Sequence, residues 1–349
     1  LYFSNLSGVL EFDGISWRLL QFPNNDPCTS ICLGKDGLIY AGGGYDFGCF
    51  QPLNNGLLEF RSAFSNKNDS LKPNSFIWSI IQFKDQILFQ SESVLFSLKD
   101  NQIKLIDSSR IGPVLKVRNN IYIPNYNENN GLYTLDNDKI KKIRKTDDWG
   151  NLQITDILPY KKDKILIYSR KEGLLEANDL INFNSKDSFD LRPIGNKSIN
   201  DYLIKHEYSC GRQLKNGNYV FGTISGGILL MSPEGNLIRI IDKTTGLQNE
   251  TVNAVYEDNN QILWLALDNG ISSVNLNVPL SYWPQDKGFD GSILSVKRFK
   301  DQLYIGTWQG IYRLDKYSEE DLNTLGRYGS YFKKLPDIHA RIWSLTPFF

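Results

Sequence analysis

The sequence predicts an all-β fold in which a short unit of four strands is repeated along the chain. Aromatic residues make up 13% of the 349 residues, and aromatic and β-branched side chains favour strands. Short alternating apolar runs, separated by polar or glycine turns, return every ~40–50 residues. Only residues 318–326, SEEDLNTLG, have the capping Ser, acidic first turn and terminal Gly of a helix.

The clearest copy of the repeat is residues 251–276, TVNAVYEDNNQILWLALDNGISSVNL. It predicts strands at 252–257 and 262–267, a polar turn between them, and a third strand after Gly270. Segments with the same order of strands and turns are 28–52, 77–98, 112–136, 154–177, 208–232 and 292–315. A fourth strand often follows, as in NQIKLID, KIKKIR and NLIRIID.

The predicted first strands begin at regular positions. These are Thr29, Ile77, Pro113, Ile154, Tyr208, Val252, Ile293 and Arg341. Four short strands at this spacing are typical of the blades of a β-propeller. We therefore expect a propeller of four-stranded blades, with eight blades favoured and seven as the alternative if one loose unit is an insertion.

The two ends of the chain complement each other. Residues 1–22 supply a second, third and fourth strand without a first, whereas residues 340–349, ARIWSLTPFF, supply a first strand without successors. We expect these strands to pair in one sheet and close a ring, with residues 1–349 forming a single domain. Two alternatives stay open: residues 1–3 are a remnant of a protease site, or strands outside this sequence complete the terminal blades.

One repeat carries a recognisable motif. Val252, Val255, Glu257, Asp258, Leu263, Trp264 and Gly270 occupy the positions of V-x-x-I-x-E-D-x-x-G-x-L-W-I-G-T-x-x-G-L. Ala266–Leu267 replaces the Gly-Thr pair, which returns in QLYIGTWQGIYRLD and YVFGTISGGILLM. The chain therefore resembles the two-component-regulator propeller repeat family over nearly its whole length.

The resemblance implies the periplasmic sensor domain of a bacterial hybrid two-component or helix-turn-helix regulator. In that family the propeller precedes a triple-tyrosine module, a transmembrane helix and a histidine kinase or DNA-binding output. It implies that this chain is a fragment of an inner-membrane protein, joined to the membrane only through the rest of that protein. The implied function is signal reception, often of a glycan-related ligand.

Composition and motifs indicate no enzyme chemistry in this domain. Lys and Arg total 39, as do Asp and Glu, so the net charge does not suggest contact with nucleic acid. His206 and His339 have no accompanying G-x-S-x-G motif, and Cys28, Cys32, Cys49 and Cys210 lack the clustering of a zinc site. No apolar run approaches the ~20 residues that cross a bilayer. We expect no catalytic residue, metal or cofactor.

Repeat geometry predicts the binding face. The loop between the second and third strands of a blade and the start of its first strand lie at the same face. The candidate ligand-binding residues are Tyr45, Asp46, Tyr126, Asn127, Arg170, Asp268 and Trp308 in the loops, and Trp78, Tyr208, Asn253, Arg341 and Trp343 at the strand starts. Such side chains can stack on and hydrogen-bond a sugar-like ligand. For the two strand-start tryptophans, packing between blades is the alternative.

The sequence favours a ligand-sensing domain and leaves other functions open. An oligosaccharide or other small ligand, downstream domains of the same chain and a second copy in a homodimer are the expected partners. The alternatives are a protein-interaction scaffold or, third, a polysaccharide-active enzyme, because propellers host many functions.

Overall fold

The computed structural model describes residues 1–64, 72–109, 111–125, 131–179, 191–276, 289–317, 330–336, 338 and 340–346. They form eight antiparallel sheets, six of four strands and two of three. The predicted all-β fold of eight repeated units is confirmed. The chain divides into two compact units, Leu1–Ile194 and Gly195–Phe349, which are described separately below. That 1–349 is one domain stays a prediction.

The first unit contains five sheets. Their strands are β1 (Tyr2–Asn5), β2 (Gly8–Phe12) and β3 (Trp17–Gln21); β4 (Cys28–Leu33), β5 (Ile39–Gly43), β6 (Phe47–Pro52) and β7 (Leu58–Ser62); β8 (Ile77–Phe83), β9 (Gln86–Ser91), β10 (Leu95–Lys99) and β11 (Gln102–Asp107); β12 (Leu115–Val117), β13 (Asn120–Asn125), β14 (Gly131–Asp136) and β15 (Lys139–Lys142); β16 (Ile154–Tyr160), β17 (Lys164–Ser169), β18 (Gly173–Asn178) and β19 (Arg192–Pro193). Short 3-10 turns occur at Pro23–Asn25 and Asp147–Leu152.

The second unit contains three sheets and one helix. Helix α1 (Lys197–Lys205) precedes β20 (Tyr208–Gln213), β21 (Tyr219–Thr223), β22 (Ile228–Met231) and β23 (Leu237–Ile241); then come β24 (Val252–Glu257), β25 (Ile262–Leu267) and β26 (Ile271–Asn275), and β27 (Ile293–Phe299), β28 (Gln302–Thr307), β29 (Gly310–Lys316) and β30 (Ser330–Lys334). A 3-10 turn lies at Lys243–Thr245.

Most first strands begin where the alternation predicts. The starts at Ile77, Ile154, Tyr208, Val252 and Ile293 are confirmed; those predicted at Thr29 and Pro113 lie one and two residues from Cys28 and Leu115. The strand predicted at Arg341 is wrong for the described residues, because 341–346 form none. Instead, the amide of Ile342 donates to the carbonyl of Thr307 at 3.0 Å. Closure of a ring through the chain ends stays a prediction.

The apolar core lies between successive sheets. Phe47 of β6 stacks on Phe89 of β9 with ring centroids 4.0 Å apart, and both rings are buried. The glycine at the first position of the Gly-Thr pair, which here is Gly42 followed by Gly43, makes this packing close. A Cβ at Gly42 would lie 2.7 Å from the side chain of Ile77, the first residue of the next sheet. The glycine position of the repeat motif is therefore one at which two neighbouring sheets are in contact.

Helix α1 was missed by the sequence prediction. The Asn196 side chain accepts a hydrogen bond from the amide of Ile199 and caps the helix. Ile199, Tyr202 and Leu203 are buried, which is the i, i+3, i+4 spacing of one helix face. The signal is present but spans only nine residues. The helix predicted at 318–326 lies outside the described residues.

Candidate ligand-binding clusters

A buried hydroxyl holds the loop between the second and third strands in several sheets. Ser91, Ser169, Thr223 and Thr307 each end a second strand and are at most 3% exposed. Each hydroxyl accepts a hydrogen bond from a loop amide two or three residues later, as Thr307 does from Gln309 at 3.0 Å. The residue directly after the hydroxyl therefore projects from the loop, as exposed Arg170 and Trp308 do.

A β-bulge sets the side chain at the start of the first strand in six sheets. The ladder skips the second residue of β4, β8, β16, β20, β24 and β27. A bulge leaves its extra residue unpaired and redirects the side chain. In β8 and β24 the skipped residues are Trp78 and Asn253, and both side chains are exposed.

The first aromatic cluster consists of Tyr45, Phe76 and Trp78 in the first unit. Ring centroids are 6.3 Å apart for Tyr45 and Phe76, and 5.8 Å apart for Phe76 and Trp78. Tyr45 is 59% exposed and Trp78 is 62% exposed. The Trp78 ring is therefore not packed between two blades. The sequence prediction missed Phe76, although an aromatic residue directly before a first strand was a visible signal.

The second aromatic cluster is defined by the contact between Trp308 and Arg341 in the second unit, together with Trp343, which lies two residues after Arg341 in the chain. The guanidinium carbon of Arg341 lies 4.4 Å from the centroid of the Trp308 ring, within the range of a cation–π contact. Trp308 is 47% exposed and Trp343 is 66% exposed. The indole of Trp343 is thus also free of blade packing.

The two clusters occupy equivalent positions of the repeat. Ile77 packs against Gly42, and Ile342 packs in the same way against Gly306. Phe76 and Trp78 therefore correspond to Arg341 and Trp343 on either side of these isoleucines. A third sheet has a contact at the same position, and there it is polar. The hydroxyl of Thr251, which is one residue before Val252, donates to the carbonyl of Ile224 in the preceding loop at 2.7 Å. The residue before a first strand thus touches the preceding loop in all three places.

No family model and no curated protein matches the chain. Among solved structures, it is similar to the extracellular domain of BT4673 from B. thetaiotaomicron, a candidate one component system, with 17% identity and a TM-score of 0.54 over 98% of this chain and 46% of that chain. It is similar to the WD40 β-propeller domain of Doa1, with 13% identity and a TM-score of 0.51 over 77% and 86% of the two chains. A catalytically inactive virginiamycin B lyase from Staphylococcus aureus, with quinupristin, aligns with 12% identity and a TM-score of 0.51 over 82% and 94%.

The fold is a β-propeller. Identities this low define the architecture alone, and this chain spans about half the length of the BT4673 chain that it matches. The first cluster joins the loop after β5 to the start of β8, and the second joins the loop after β28 to residues 341–343, which form no strand.

The remaining candidate residues of the propeller divide into four groups. Asp46 turns inward, because its Oδ1 accepts hydrogen bonds from the Ser62 hydroxyl and the Phe47 amide, both at 2.7 Å. Tyr208 is half-buried, with its ring 6.0 Å from that of Phe221. Arg170, Asn253 and Asp268 are exposed and belong to neither cluster, and Tyr126 and Asn127 lie outside the described residues.

His206 serves the packing of helix α1. Its ring lies 4.2 Å from the Tyr202 ring, and its Nδ1 is 3.1 Å from the carbonyl oxygen of Ser225. Burial lowers the pKa of His206, with a smaller contribution from neighbouring Lys205. His339 lies outside the described part of the chain.

Burial raises the pKa of the thiols of Cys28, Cys32 and Cys49 and so disfavours their thiolate forms. All four cysteines are free, and burial raises the pKa of Cys28 to about 12, so its thiol is a weak nucleophile near neutral pH. Among the described residues, no group of three His, Cys, Asp or Glu side chains could hold a metal ion. The same residues include no helix with the length and apolarity needed to cross a bilayer.

Proposed function

We propose that this propeller is the ligand-sensing extracytoplasmic domain of a bacterial signal-transduction receptor. The repeat motif supports the proposal, and so does the likeness to a domain described as extracellular and as part of a candidate one component system. In this proposal the domain is periplasmic and acts on a downstream kinase or DNA-binding module of a longer protein. The proposal assigns no catalytic step to this domain.

The exposed aromatic clusters carry the proposal of ligand binding. Between 47% and 66% of the surface is exposed to water in each of four aromatic side chains: Tyr45, Trp78, Trp308 and Trp343. Covering an aromatic face with a ligand releases that water and is favourable by ~25 cal/mol per Å² of apolar area. Flat rings beside polar groups suit a sugar-like ligand, which offers an apolar C–H face and a hydroxyl edge.

Ligand binding by itself does not produce a signal. A ligand shifts a receptor between two states only to the extent that it binds one of them more tightly. Both clusters join two successive strand-and-loop segments, through the Tyr45–Phe76 and Trp308–Arg341 contacts. A ligand bound there would therefore favour the arrangement of sheets in which both segments touch it.

Isothermal titration of the whole chain with a panel of neutral and acidic oligosaccharides tests the proposal. We expect at least one compound to bind, and Trp78→Ala or Trp343→Ala to weaken its binding by about tenfold or more. Trp17→Ala is the matched control, because Trp17 is equally an exposed ring but lies on β3, stacked on Phe12. A panel without any heat of binding or ligand-dependent rise in Tm would contradict the proposal.

A protein-binding role is the second candidate function. The exposed apolar side chains of the first sheet favour it. Trp17 stacks on Phe12 with ring centroids 4.5 Å apart and lies 5.7 Å from Phe3, and Leu19 beside it is exposed. Exposed aromatic groups of this kind are enriched at protein interfaces. Light scattering after size-exclusion chromatography tests a homodimer: a dimer lost in Trp17→Ala would support this role, and a monomer at high concentration would oppose it.

A further inference from the structure

The two aromatic clusters differ by one charge. Where the first cluster has the neutral ring of Phe76, the second has the guanidinium of Arg341, in the equivalent position of the repeat. Arg341 is exposed and forms no ion pair with any carboxylate of the described residues. Its charge therefore remains available to a ligand.

Stacking on Trp308 prepares Arg341 for binding an anion. The guanidinium carbon lies 4.4 Å from the centroid of the Trp308 ring, and no described residue accepts a hydrogen bond from the N–H donors of Arg341. These donors match the two oxygens of a carboxylate. Holding the side chain in place also reduces the conformational entropy that binding would otherwise remove.

We propose that the second aromatic cluster recognises the carboxylate of an acidic sugar, so that the ligand is a uronate-containing oligosaccharide. The inference rests on the proposed function and deepens it. A uronate ring offers an apolar C–H face and a carboxylate at its edge, matching an indole face of Trp343 or Trp308 and the guanidinium of Arg341. The first cluster, formed by Tyr45, Phe76 and Trp78, has no such charge and would take a separate, uncharged sugar.

Acidic peptides offer a carboxylate but fit the cluster less well. An aspartate or glutamate side chain pairs with Arg341 without an extended apolar face for two indoles that are 47% and 66% exposed. A sugar ring covers such a face and bears the charge in the same rigid unit. The chemistry of the cluster therefore favours the sugar over the peptide.

Titration of the whole chain with tetragalacturonate and with its fully methyl-esterified form tests the inference. The ester removes the charge and keeps the ring stereochemistry. We expect the free acid to bind about tenfold or more tightly than the ester, and Arg341→Met to remove that preference. Arg341→Lys, which keeps the charge without the planar fork, should restore part of the preference. Arg170→Met is the control, because Arg170 is an exposed arginine outside both clusters.

The outcomes separate this inference from the proposed function. Equal binding of acid and ester, or an acid preference unchanged in Arg341→Met, overturns the inference. Neutral sugars that bind through Trp78 would still support the proposed function in that case. Tetraglutamate binding as tightly as tetragalacturonate, with the same dependence on Arg341, overturns the inference in favour of acidic peptides. If no saccharide binds, both the inference and the proposed function fail. A Tm within about 2 °C of wild type verifies that Arg341→Met is folded.

Discussion

Arg118 and Asp179 join two neighbouring sheets through an ion pair in which the Asp179 carboxylate is buried and the Arg118 side chain is 31% exposed. The Nη1 of Arg118 donates to Oδ2 of Asp179 at 2.9 Å, while the Tyr122 hydroxyl donates to its Oδ1 at 2.6 Å. Arg118 also donates to the carbonyls of Tyr160 and Lys164, in the hairpin of the fifth sheet. One arginine from the hairpin of the fourth sheet thus binds the next hairpin.

Replacing Asp179 should destabilise the chain strongly. Asp179 is 4% exposed, and Asp179→Ala leaves the Arg118 guanidinium and the Tyr122 hydroxyl without this partner. We expect the free energy of unfolding to fall by about 3 kcal/mol, measured by urea denaturation. Asp136→Ala breaks an exposed pair with Lys141 and should lower the free energy of unfolding far less, because exposed ion pairs contribute little to stability. Equal losses in the two variants would contradict this prediction.

The glycine at the end of a second strand should tolerate no side chain. A Cβ at Gly42 would meet Cγ2 and Cβ of Ile77 at 2.7 and 2.8 Å, and the branched side chain cannot move aside. We expect Gly42→Ala to lower the free energy of unfolding by about 1–3 kcal/mol. Gly44→Ala provides the control, since its Cβ would have ordinary contacts of 3.5 Å or more. Thermal unfolding followed by circular dichroism compares them, and a Tm for Gly42→Ala at or above that of Gly44→Ala would refute the prediction.

Asp258 and Trp264 of the repeat motif should stabilise the turn between β24 and β25. Oδ1 of Asp258 accepts from the amides of Asn260 and Ile262, and Oδ2 accepts from Nε1 of Trp264 at 3.0 Å. Burial opposes ionisation of Asp258, but these hydrogen bonds outweigh it and lower its pKa.

We therefore expect Asp258→Ala to lower the free energy of unfolding by about 1–2 kcal/mol at pH 7. Because the folded pKa is below the usual 3.8, the contribution is present above that value and disappears as the pH falls through the folded pKa. Denaturation at pH 7 and at pH 2.5 measures this, with Asp85→Ala in the matching turn as control. A loss independent of pH would count against the hydrogen-bond mechanism.

Thr307 should position the Trp308 loop through its hydroxyl. The hydroxyl is buried, donates to the carbonyl of Gly310 at 3.2 Å and accepts from the amide of Gln309 at 3.0 Å. Thr307→Val keeps the shape but removes both hydrogen bonds, and we expect a loss of about 1–3 kcal/mol in the free energy of unfolding. Thr307→Ser retains the hydroxyl and should lose less. If valine proved as stable as threonine, the hydroxyl would have no such role.

His206 should make the stability of the chain depend on pH in the mildly acidic range. Its folded pKa lies below the usual 6.5, chiefly through burial, so the unfolded chain binds the proton more readily. Stability therefore falls as the pH drops below 6.5 and levels off below the folded pKa. The measurement is the decrease in Tm between pH 7.5 and pH 5.0. We expect this decrease to be smaller in His206→Gln than in the wild type. An identical decline in both proteins would show that His206 is not responsible.

Local sequence information was sufficient for the architecture. Alternation and turn residues act over a few positions, so the eight units and the starts at Ile77, Val252 and Ile293 followed from them. The loops after the second strands were also located, and Trp308 and Arg170 directly follow a strand-ending Thr or Ser there; that any of these residues binds a ligand stays a prediction. Helix α1 was missed because one short apolar face of nine residues gives little periodicity.

Contacts between distant residues decided the sites. Tyr45 meets Phe76 and Trp308 meets Arg341 across about thirty residues or more of sequence, and no local pattern encodes such pairs. Likewise, only the packed structure revealed that Asp46 turns inward to Ser62 while Trp78 and Trp343 point into water. Strand formation depends on neighbours along the chain, whereas exposure and charge pairing depend on which sheet packs beside which loop.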